Sequence, residues 1–344
     1  MRRVLLVCEL EEDGKEYLSK NYDLLMAGAA TGECDELTEV ALAELMASHQ
    51  PHILLVNSSP ATARVLAASD CLELVICARG TPNNVDLNYC RDKGLLLCST
   101  PSRNANSVAE FTIGLMMAAT RQIPQSMEAI RDHTIVLEGD PLDGGSKDVT
   151  WIHSDLPYIP YERYNSLEIA GATLGLVGLG FIGGLVAEKA KALGMEILVY
   201  DPYQNKEALA SKGYRLVEFQ ELIEGSDVIS LHAKETEQTR HIINTEVFKT
   251  MKPSAYLINT ARGSLVNYDD LRQALKSRQI AGAAVDVFPY EPLRSNDPLI
   301  NTPNLTMTPH IAGASRNVVQ HHTRMVMRSI HDFENGEKPK FAVF

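Results

Sequence analysis

Short apolar runs alternate with longer segments of helical periodicity along the whole chain. Strands buried on both faces read as unbroken apolar runs, and crossover helices separate such strands in parallel sheets. The pattern therefore predicts an α/β fold with two groups of parallel strands. The predicted strands are Val4–Cys8, His52–Val56, Leu74–Ala78 and Leu95–Cys98, then Thr173–Val177, Glu196–Tyr200, Asp227–Leu231, Tyr256–Asn259, Ala281–Val287 and Leu305–Thr308.

Two long helical patterns accompany these strands. The first runs from Ser107 toward Arg131 and is apolar around most of its circumference, which is typical of a buried helix. The second runs from Ser315 to Phe333. Residues 136–165, between the two groups of strands, are rich in Gly, Pro, Asp and Tyr and lack any period, which predicts an extended loop. Loops of this length often have a function or contact a second subunit.

Three glycines follow the fifth predicted strand at the spacing of a dinucleotide-binding turn. Gly178, Gly180 and Gly183 come directly after Thr173–Val177 and open a helical stretch, Phe181–Leu193. The first glycine permits a tight turn, the second lets the backbone approach a diphosphate, and the third lets helix and strand pack closely. The alternative is a glycine-rich surface turn, but the order of strand, turn and helix favours a nucleotide site. The cofactor-binding residues predicted in this turn are Gly178, Gly180, Phe181, Ile182 and Gly183.

An acidic residue ends the next strand and indicates which cofactor binds. Asp201 would accept hydrogen bonds from the adenosine ribose hydroxyls, and its charge would repel a 2′-phosphate. No arginine follows directly, and Lys206 is the nearby cation in what reads as the next helical turn. The sequence therefore predicts a Rossmann domain that binds NAD in preference to NADP.

Three further segments place a charged or titratable side chain just beyond a predicted strand. These side chains are Arg262, Glu291 and His310. Doubly wound sheets bind ligands at the carboxyl ends of their strands, so we expect the three to converge on one cleft. A histidine can exchange the proton of an alcohol, a carboxylate can orient the imidazole, and an arginine can bind a substrate carboxylate through two parallel hydrogen bonds. Each residue alone would more often be structural, but together they predict an oxidoreductase site.

These motifs resemble the D-2-hydroxyacid dehydrogenase family, which includes glyoxylate, hydroxypyruvate and phosphoglycerate dehydrogenases. The resemblance extends over nearly the whole chain. It implies an NAD-dependent enzyme that interconverts a D-2-hydroxy acid and its 2-oxo acid. The matching segments are Gly178–Gly183, Asn259–Gly263, Asp286–Phe288, Glu291–Leu293, Thr308–His310, Ala109–Met116, Leu231–His232 and Thr239–His241.

The resemblance also implies roles for individual residues. Arg262 is expected to anchor the substrate, Glu291 to orient His310, and His310 to act as the general acid and base. The loop that contains Arg79 and Gly80 is expected to bind the substrate carboxylate. Further cofactor contacts are expected at Thr260, Ala261, Asp286 and Gly313, with Asp286 on the nicotinamide carboxamide.

The same resemblance implies how the domains are organised. We expect a discontinuous, flavodoxin-like substrate domain at residues 1–106 and 320–344, and a Rossmann NAD-binding domain at residues 107–319. The family also implies a homodimer built around the 107–131 helical region.

Composition excludes several other classes of protein. The 344 residues carry a formal net charge of −12, which disfavours a nucleic-acid partner. The longest apolar run, Ile113–Ala119, is too short to span a membrane, and the N-terminus reads as a buried strand rather than a signal peptide. The six cysteines form no C-x-x-C pair and read as small hydrophobic side chains in a reducing, cytoplasmic compartment. No histidine spacing indicates a metal, and His321 with His322 reads as a solvated polar face.

Two alternatives to this function remain at the level of sequence. An NAD-sensing protein of the transcriptional corepressor type shares the fold and the three residues, but such proteins carry disordered tails. A dehydrogenase of similar plan that acts on an amino acid or a thioether nucleoside would lack the pairing of Glu291 with His310. The identity of the 2-hydroxy acid stays open.

Overall fold

The computed structural model describes residues 1–34, 36–137 and 151–344. These residues form two compact units: unit 1 comprises Met1–Asn104 and Ala314–Phe344, and unit 2 comprises Ala105–Gly313. Along the chain, unit 1 gives way to unit 2 two residues before the expected domain boundary at 106. Unit 2 ends six residues before the expected boundary at 319.

The elements follow the expected alternation of strand and helix. The strands are β1 Arg3–Leu6, β2 Asp23–Met26, β3 Ile53–Val56, β4 Leu74–Cys77, β5 Leu96–Ser99, β6 Thr173–Val177, β7 Glu196–Tyr200, β8 Arg215–Leu216, β9 Val228–Leu231, β10 Tyr256–Asn259, β11 Gly282–Val285 and β12 Leu305–Met307. The helices are α1 Glu12–Asn21, α2 Glu39–His49, α3 Ala63–Leu66, α4 Leu87–Lys93, α5 Ala105–Thr120, α6 Ile123–Arg131, α7 Pro160–Arg163, α8 Phe181–Ala192, α9 Lys206–Ser211, α10 Phe219–Gly225, α11 Thr245–Thr250, α12 Tyr268–Lys276 and α13 Asn317–Glu334.

Unit 1 contains a five-stranded parallel sheet in the order β2-β1-β3-β4-β5, the flavodoxin-like order. Strands β3 and β4 are buried at every residue, which is why they read as unbroken apolar runs. The edge strand β2 was not predicted from the sequence. It begins and ends with exposed residues, Asp23 and Met26, so it lacks the apolar pattern of a central strand.

Unit 2 contains a seven-stranded parallel sheet in the order β12-β11-β10-β9-β6-β7-β8. This is the Rossmann order with one added strand, and the order reverses between β6 and β9, where such folds bind their nucleotide. The predicted fold class, two doubly wound parallel-sheet domains, is therefore confirmed. The two-residue edge strand β8 was not predicted, because it is too short to leave a pattern.

The helical pattern between Ser107 and Arg131 forms two helices rather than one. Helix α5 ends at Thr120, and Gln122 adopts a left-handed conformation with φ of 52° before α6 begins. Pro124 then occupies the first turn of α6, where its missing N–H costs no hydrogen bond. The predicted loop at 136–165 lies partly outside the described residues, and its described part contains the single turn of α7.

The burial of several side chains in unit 1 differs from what the sequence predicts. Of the six cysteines, all within the described residues, none is bonded to another and four are buried; Cys34 is exposed and Cys71 is half-buried. His322 is 2% exposed, so the prediction of a solvated face was wrong for this residue. It lies on the buried side of α13, where a neutral imidazole can form hydrogen bonds within the unit. Among the described residues, no helix is long and apolar enough to cross a membrane.

Candidate active site

The glycine turn after β6 has the backbone that the sequence predicts. Gly178 has φ of 93°, and a Cβ there would lie 2.7 Å from the Ala233 backbone nitrogen. A Cβ on Gly183 would lie 2.5 Å from the Gly178 carbonyl oxygen, so both positions exclude a side chain. Gly180 caps α8 without a side-chain hydrogen bond, which leaves the N–H groups of the first helical turn free for an anion.

Asp201 is tied to this turn by two hydrogen bonds. Its Oδ2 accepts from Leu179 N at 2.8 Å, and its Oδ1 accepts from Tyr203 N at 2.9 Å. Gln204 adds a bond from Nε2 to the Leu179 carbonyl oxygen at 3.0 Å. Each carboxylate oxygen can accept a second bond, so Asp201 can hold the turn and still bind ribose hydroxyls. The turn, the helix start and the acid together fit a dinucleotide with a free ribose 2′-hydroxyl.

The strand-end segment that carries Arg262 is shaped by a residue that sequence reasoning did not single out. Asn259 is fully buried at the end of β10. Its Oδ1 accepts from Ala261 N at 3.1 Å and its Nδ2 donates to the Arg262 carbonyl oxygen at 2.9 Å. Thr260 is fixed beside it by a 2.7 Å hydrogen bond to Thr112 of α5. Asn259 therefore folds the turn in which the exposed Arg262 lies.

Close approach of two backbone segments brings Arg262 toward Glu291. Gly263 follows Arg262, and a Cβ on it would collide with the Phe288 carbonyl group and Pro289 N. Only glycine permits this contact. Arg262, Glu291 and His310 consequently line one cavity of about 740 Å³ within unit 2, as expected from their positions at strand ends.

Glu291 and His310 are in direct contact in this cavity. Glu291 Oε2 lies 2.5 Å from His310 Nδ1, and Glu291 Oε1 accepts from Phe288 N at 2.9 Å. Nδ1 of His310 therefore carries the hydrogen that faces Glu291, and Nε2 is left for another partner. The His310 side chain is 51% exposed, so a small molecule can reach it.

The same contacts control the charge of Glu291. Partial burial alone would raise the pKa of this carboxyl group. The hydrogen bonds from His310 and Phe288 N, together with the charges of His310 and Arg262, outweigh this effect of burial. The pKa of Glu291 therefore lies below its ordinary value, and the group is ionised at neutral pH.

Asp286 holds the segment that presents His310. This carboxylate is fully buried, and it accepts from the Thr308 hydroxyl at 2.6 Å, from Ile311 N at 2.9 Å and from Ala312 N at 2.8 Å. Between these donors His310 has φ of 57°, in the left-handed region that is uncommon for residues other than glycine. Asp286 thus fixes the backbone on both sides of His310.

The remaining predicted site residues are not part of the lining of this cavity. Gly313 is half-buried and is the last residue of unit 2. Phe181 is 67% exposed at the start of α8, and Ile182 follows it. Arg79 and Gly80 belong to unit 1, in the loop that follows β4.

Comparison with known proteins agrees with this fold. Residues 113–312 match the family described as "D-isomer specific 2-hydroxyacid dehydrogenase, NAD binding domain". The chain therefore belongs to the D-isomer specific 2-hydroxyacid dehydrogenase family of NAD-binding oxidoreductases. The predicted family and the predicted cofactor, NAD, are both confirmed.

Individual relatives cover most of the chain. A glyoxylate reductase of Korarchaeum cryptofilum is 34% identical over 282 residues, which are 82% of this chain and 79% of that protein. A D-3-phosphoglycerate dehydrogenase of Methanocaldococcus jannaschii is 34% identical over 323 residues, which are 93% of this chain but 55% of that protein. The solved structure of the TT0316 protein of Thermus thermophilus is 27% identical with a TM-score of 0.79, covering 99% of this chain and 100% of that one.

Proposed function

We propose that this protein interconverts a D-2-hydroxy acid and its 2-oxo acid with NAD, using His310 as the acid and base, Glu291 as its orienting partner and Arg262 as the substrate anchor. The observation that carries the proposal is the 2.5 Å contact between His310 Nδ1 and Glu291 Oε2, in the cavity that Arg262 also lines. This contact leaves the second ring nitrogen of an exposed histidine available for a substrate oxygen.

The proton steps follow from the two ring nitrogens of His310. In oxidation, the neutral imidazole accepts the hydroxyl proton of the substrate at Nε2, and the ionised Glu291 stabilises the imidazolium that forms. In reduction, the imidazolium returns that proton to the oxygen of the 2-oxo acid. When bound, the cofactor would supply the redox chemistry: NAD⁺ would take up the hydride from C2 in oxidation, and NADH would return it in reduction. A guanidinium at Arg262 would hold the carboxylate and neighbouring oxygen of the substrate in a plane that suits this transfer.

Cofactor contacts are proposed at the glycine turn, at the end of β10 and in the segment that follows β12. The close backbone approaches at Gly178 and Gly183 support the diphosphate site. Asp286 is assigned to holding the His310 segment, because its carboxylate is fully buried and accepts three hydrogen bonds. A contact between Asp286 and the nicotinamide would require this segment to open. The predicted contacts at Thr260, Ala261 and Gly313 remain part of the proposal.

The homodimer is supported by one face of α6. Ile123, Met127 and Ile130 are spaced at four and three residues, and each is 44–47% exposed. Apolar side chains on one helical face indicate that a partner covers them. Sedimentation velocity would give the dimer mass, and Met127→Glu should shift the equilibrium toward the monomer. A cytoplasmic location is supported by the four buried, unbonded cysteines of unit 1.

A panel of 2-oxo acids with NADH tests the function directly. We expect turnover of at least one 2-oxo acid and loss of about 10²-fold or more in rate for His310→Ala. His241→Ala is the matched control, because His241 lines the same cavity and takes no part in the hydrogen bonds of Glu291. Absence of turnover with the whole panel, despite NAD binding, would favour the corepressor type of protein, which none of the relatives named above represents.

A further inference from the structure

Unit 2 has a second cavity, of about 830 Å³, at the edge of its sheet opposite to the reaction site. Tyr256 and Gly282 line it and are the first residues of β10 and β11, and Asn304, which also lines it, directly precedes β12. The residues of the proposed reaction site follow the carboxyl ends of these same strands. Because the strands are parallel, the two cavities lie at opposite ends of them and share none of their described lining residues.

This second cavity is cationic, although the chain as a whole is acidic. Arg163, Lys276 and Arg278 line it, and no aspartate or glutamate is among its described lining residues. The formal net charge of the chain is −12. Helices α5 and α12 end at this cavity, and the C-terminus of a helix contributes only about half a negative charge. Three full positive charges therefore outweigh the two helix ends.

The three cations have no acidic partner within the part of the chain that the structure describes. The ion pairs of lysine and arginine in unit 2 involve Lys189, Arg215, Arg240, Lys249, Lys252 and Arg272. Arg163 lies 5.7 Å from the centre of the Tyr164 ring, a contact that orients the guanidinium group without neutralising it. Uncompensated positive charges that face one cavity attract an anion into it.

Two polar groups of the cavity also lack partners. Oε1 of Gln125 is buried and has no hydrogen-bond partner among the described residues. Tyr256 is 8% exposed, and burial raises the pKa of its hydroxyl group with no contribution from a hydrogen bond. Buried polar groups are nearly always paired, so these two indicate a ligand. The amide oxygen needs a donor and the phenol can donate, so the matching ligand carries both a hydroxyl group and an acceptor.

The backbone around this cavity adopts uncommon conformations. Gln122, Arg278 and Asn304 line the cavity and have φ of 52°, 56° and 56°, in the left-handed region. Backbone hydrogen bonds fix two of these turns: Arg278 N donates to the Leu275 carbonyl oxygen at 3.2 Å, and the Asn304 carbonyl oxygen accepts from Ala283 N at 3.0 Å. Left-handed residues other than glycine are uncommon and are frequent at ligand sites.

We propose that this cavity binds a small metabolite that carries an oxyanion and a hydroxyl group. The side chains of Arg163, Lys276 and Arg278 would hold the oxyanion, a phosphate or a carboxylate, through charge-assisted hydrogen bonds. The hydroxyl group of the ligand would donate to Gln125 Oε1, and the phenol of Tyr256 would donate to the ligand. Such a ligand is neither the substrate nor NAD, because the cavity lies at the opposite edge of the sheet from the reaction site.

Calorimetric titration of the full chain, saturated with NAD, tests the site without turnover. Glycerol 3-phosphate is compared with methyl phosphate, and 4-hydroxybutyrate with butyrate; in each pair only the first compound has a hydroxyl group. Titration at about pH 8 keeps both phosphate esters doubly ionised. We expect one of the two hydroxyl-bearing anions to bind, and to bind more tightly than its partner compound. This result would also identify the oxyanion as a phosphate or a carboxylate. Absence of binding by both hydroxyl-bearing anions would overturn the proposal.

Variants of the cations locate the bound anion. Lys276→Gln and Arg278→Gln should each weaken binding by about tenfold or more, because each removes a charge-assisted hydrogen bond. Lys212→Gln is the matched control, since Lys212 is an exposed lysine of the same unit that does not line the cavity. It should change binding by less than about twofold. An equal loss in all three variants would indicate general attraction to the protein surface and would contradict the site.

Gln125→Leu tests the contact with the hydroxyl group separately from the charges. This variant should abolish the advantage of the hydroxyl-bearing anion over its partner compound and leave binding of the partner compound unchanged. Thermal unfolding and NAD affinity establish that each variant is folded. An undiminished advantage in Gln125→Leu would remove Gln125 from the site.

The oligomeric state distinguishes a ligand from a contact between subunits. The cavity adjoins α6, whose exposed apolar face is proposed above to contact a second copy of the chain. We expect Arg278→Gln to leave the mass in sedimentation velocity unchanged. A shift toward the monomer in this variant, with no anion bound by the wild type, would show that acidic side chains of the second copy occupy the cavity, and would overturn the ligand site. Because none of these measurements requires turnover, their outcome is independent of the proposed function.

Discussion

The buried carboxylate of Asp286 accepts a hydrogen bond from Ala312 N at 2.8 Å, although the two residues are 26 positions apart in the chain. The same carboxylate also accepts hydrogen bonds from Thr308 and Ile311. These bonds lie on both sides of His310, whose backbone is left-handed. A charged acceptor suits this position, because two backbone N–H groups and a hydroxyl all point at it.

Asp286→Asn should therefore destabilise the protein and displace His310. The amide NH₂ would face at least one backbone N–H, which would leave a buried donor unpaired at about 1–3 kcal/mol. Chemical denaturation measures this loss, and kcat should fall with it. The exposed Asp92→Asn is the matched control and should leave both unchanged. Normal stability in Asp286→Asn would show that the carboxylate charge is not needed there.

Glu291→Gln should move the pH dependence of both reaction directions. The lowered pKa of Glu291 keeps it ionised, so it favours the charged imidazolium of His310 down to pH values below the ordinary range of a glutamate. Reduction needs the protonated ring, so its rate falls as pH rises; oxidation needs the neutral ring, so its rate rises. Without the negative charge of Glu291, the pH-dependent limbs of both rates, reduction and oxidation, should shift to lower pH.

The pH–rate profiles of wild type and Glu291→Gln provide the measurement. Glu235→Gln serves as control, because Glu235 lines the same cavity but pairs with Arg240. Limbs that stay in place, or that move to higher pH, would contradict the pairing of Glu291 with His310 in the working enzyme.

Arg262→Lys should lower kcat/KM by about 10²-fold or more, because a lysine keeps the charge but loses the planar pair of donors. Both kcat and KM should change if Arg262 orients the substrate as well as binding it. Steady-state kinetics with the best 2-oxo acid give these values. Arg240→Lys, at another position of the same cavity, should have little effect. Near-normal activity of Arg262→Lys would place the anchor elsewhere, with Arg79 as the next candidate.

Asp201→Ser should narrow the preference for NADH over NADPH. The carboxylate repels a 2′-phosphate and can accept hydrogen bonds from the ribose hydroxyls. Together these effects are worth about 2–4 kcal/mol, which corresponds to a preference for NADH of about 30-fold or more in kcat/KM. Because Asp201 also accepts from Leu179 N, the variant should loosen the glycine turn and raise KM for NADH. Equal use of both cofactors by the wild type would refute the assignment.

Gly183→Ala and Gly184→Ala should have opposite effects on stability. A Cβ at Gly183 would meet the Gly178 carbonyl oxygen at 2.5 Å, whereas nothing lies within 4 Å of one at Gly184. Both residues belong to α8, where alanine is favoured over glycine by about 0.5–1 kcal/mol. Gly184→Ala should therefore stabilise, and Gly183→Ala should destabilise and weaken NAD binding. Thermal unfolding with and without NAD measures both.

Much of this protein could be predicted from local sequence. The central strands were found because burial on both faces makes them continuous apolar runs, as in β3 and β4. The edge strands β2 and β8 were missed because exposure and shortness erase that pattern. The break between α5 and α6 was missed because Gln122 adopts a left-handed conformation that its residue type does not indicate.

Local sequence was enough to predict the fold class and the glycine turn. It also led us to expect Arg262, Glu291 and His310 in one cleft, because each follows a strand whose carboxyl end lies at the same edge of the sheet. Apart from the pairing of Glu291 with His310, the hydrogen-bond partners of these residues depend on how distant segments pack and could not be predicted. The burial of Asp286 and Asn259, and the contact of His322 with Arg103, depend on segments far apart in the chain. Hydrogen bonding between such segments leaves no periodicity in the sequence, because it is created when the strands and helices pack.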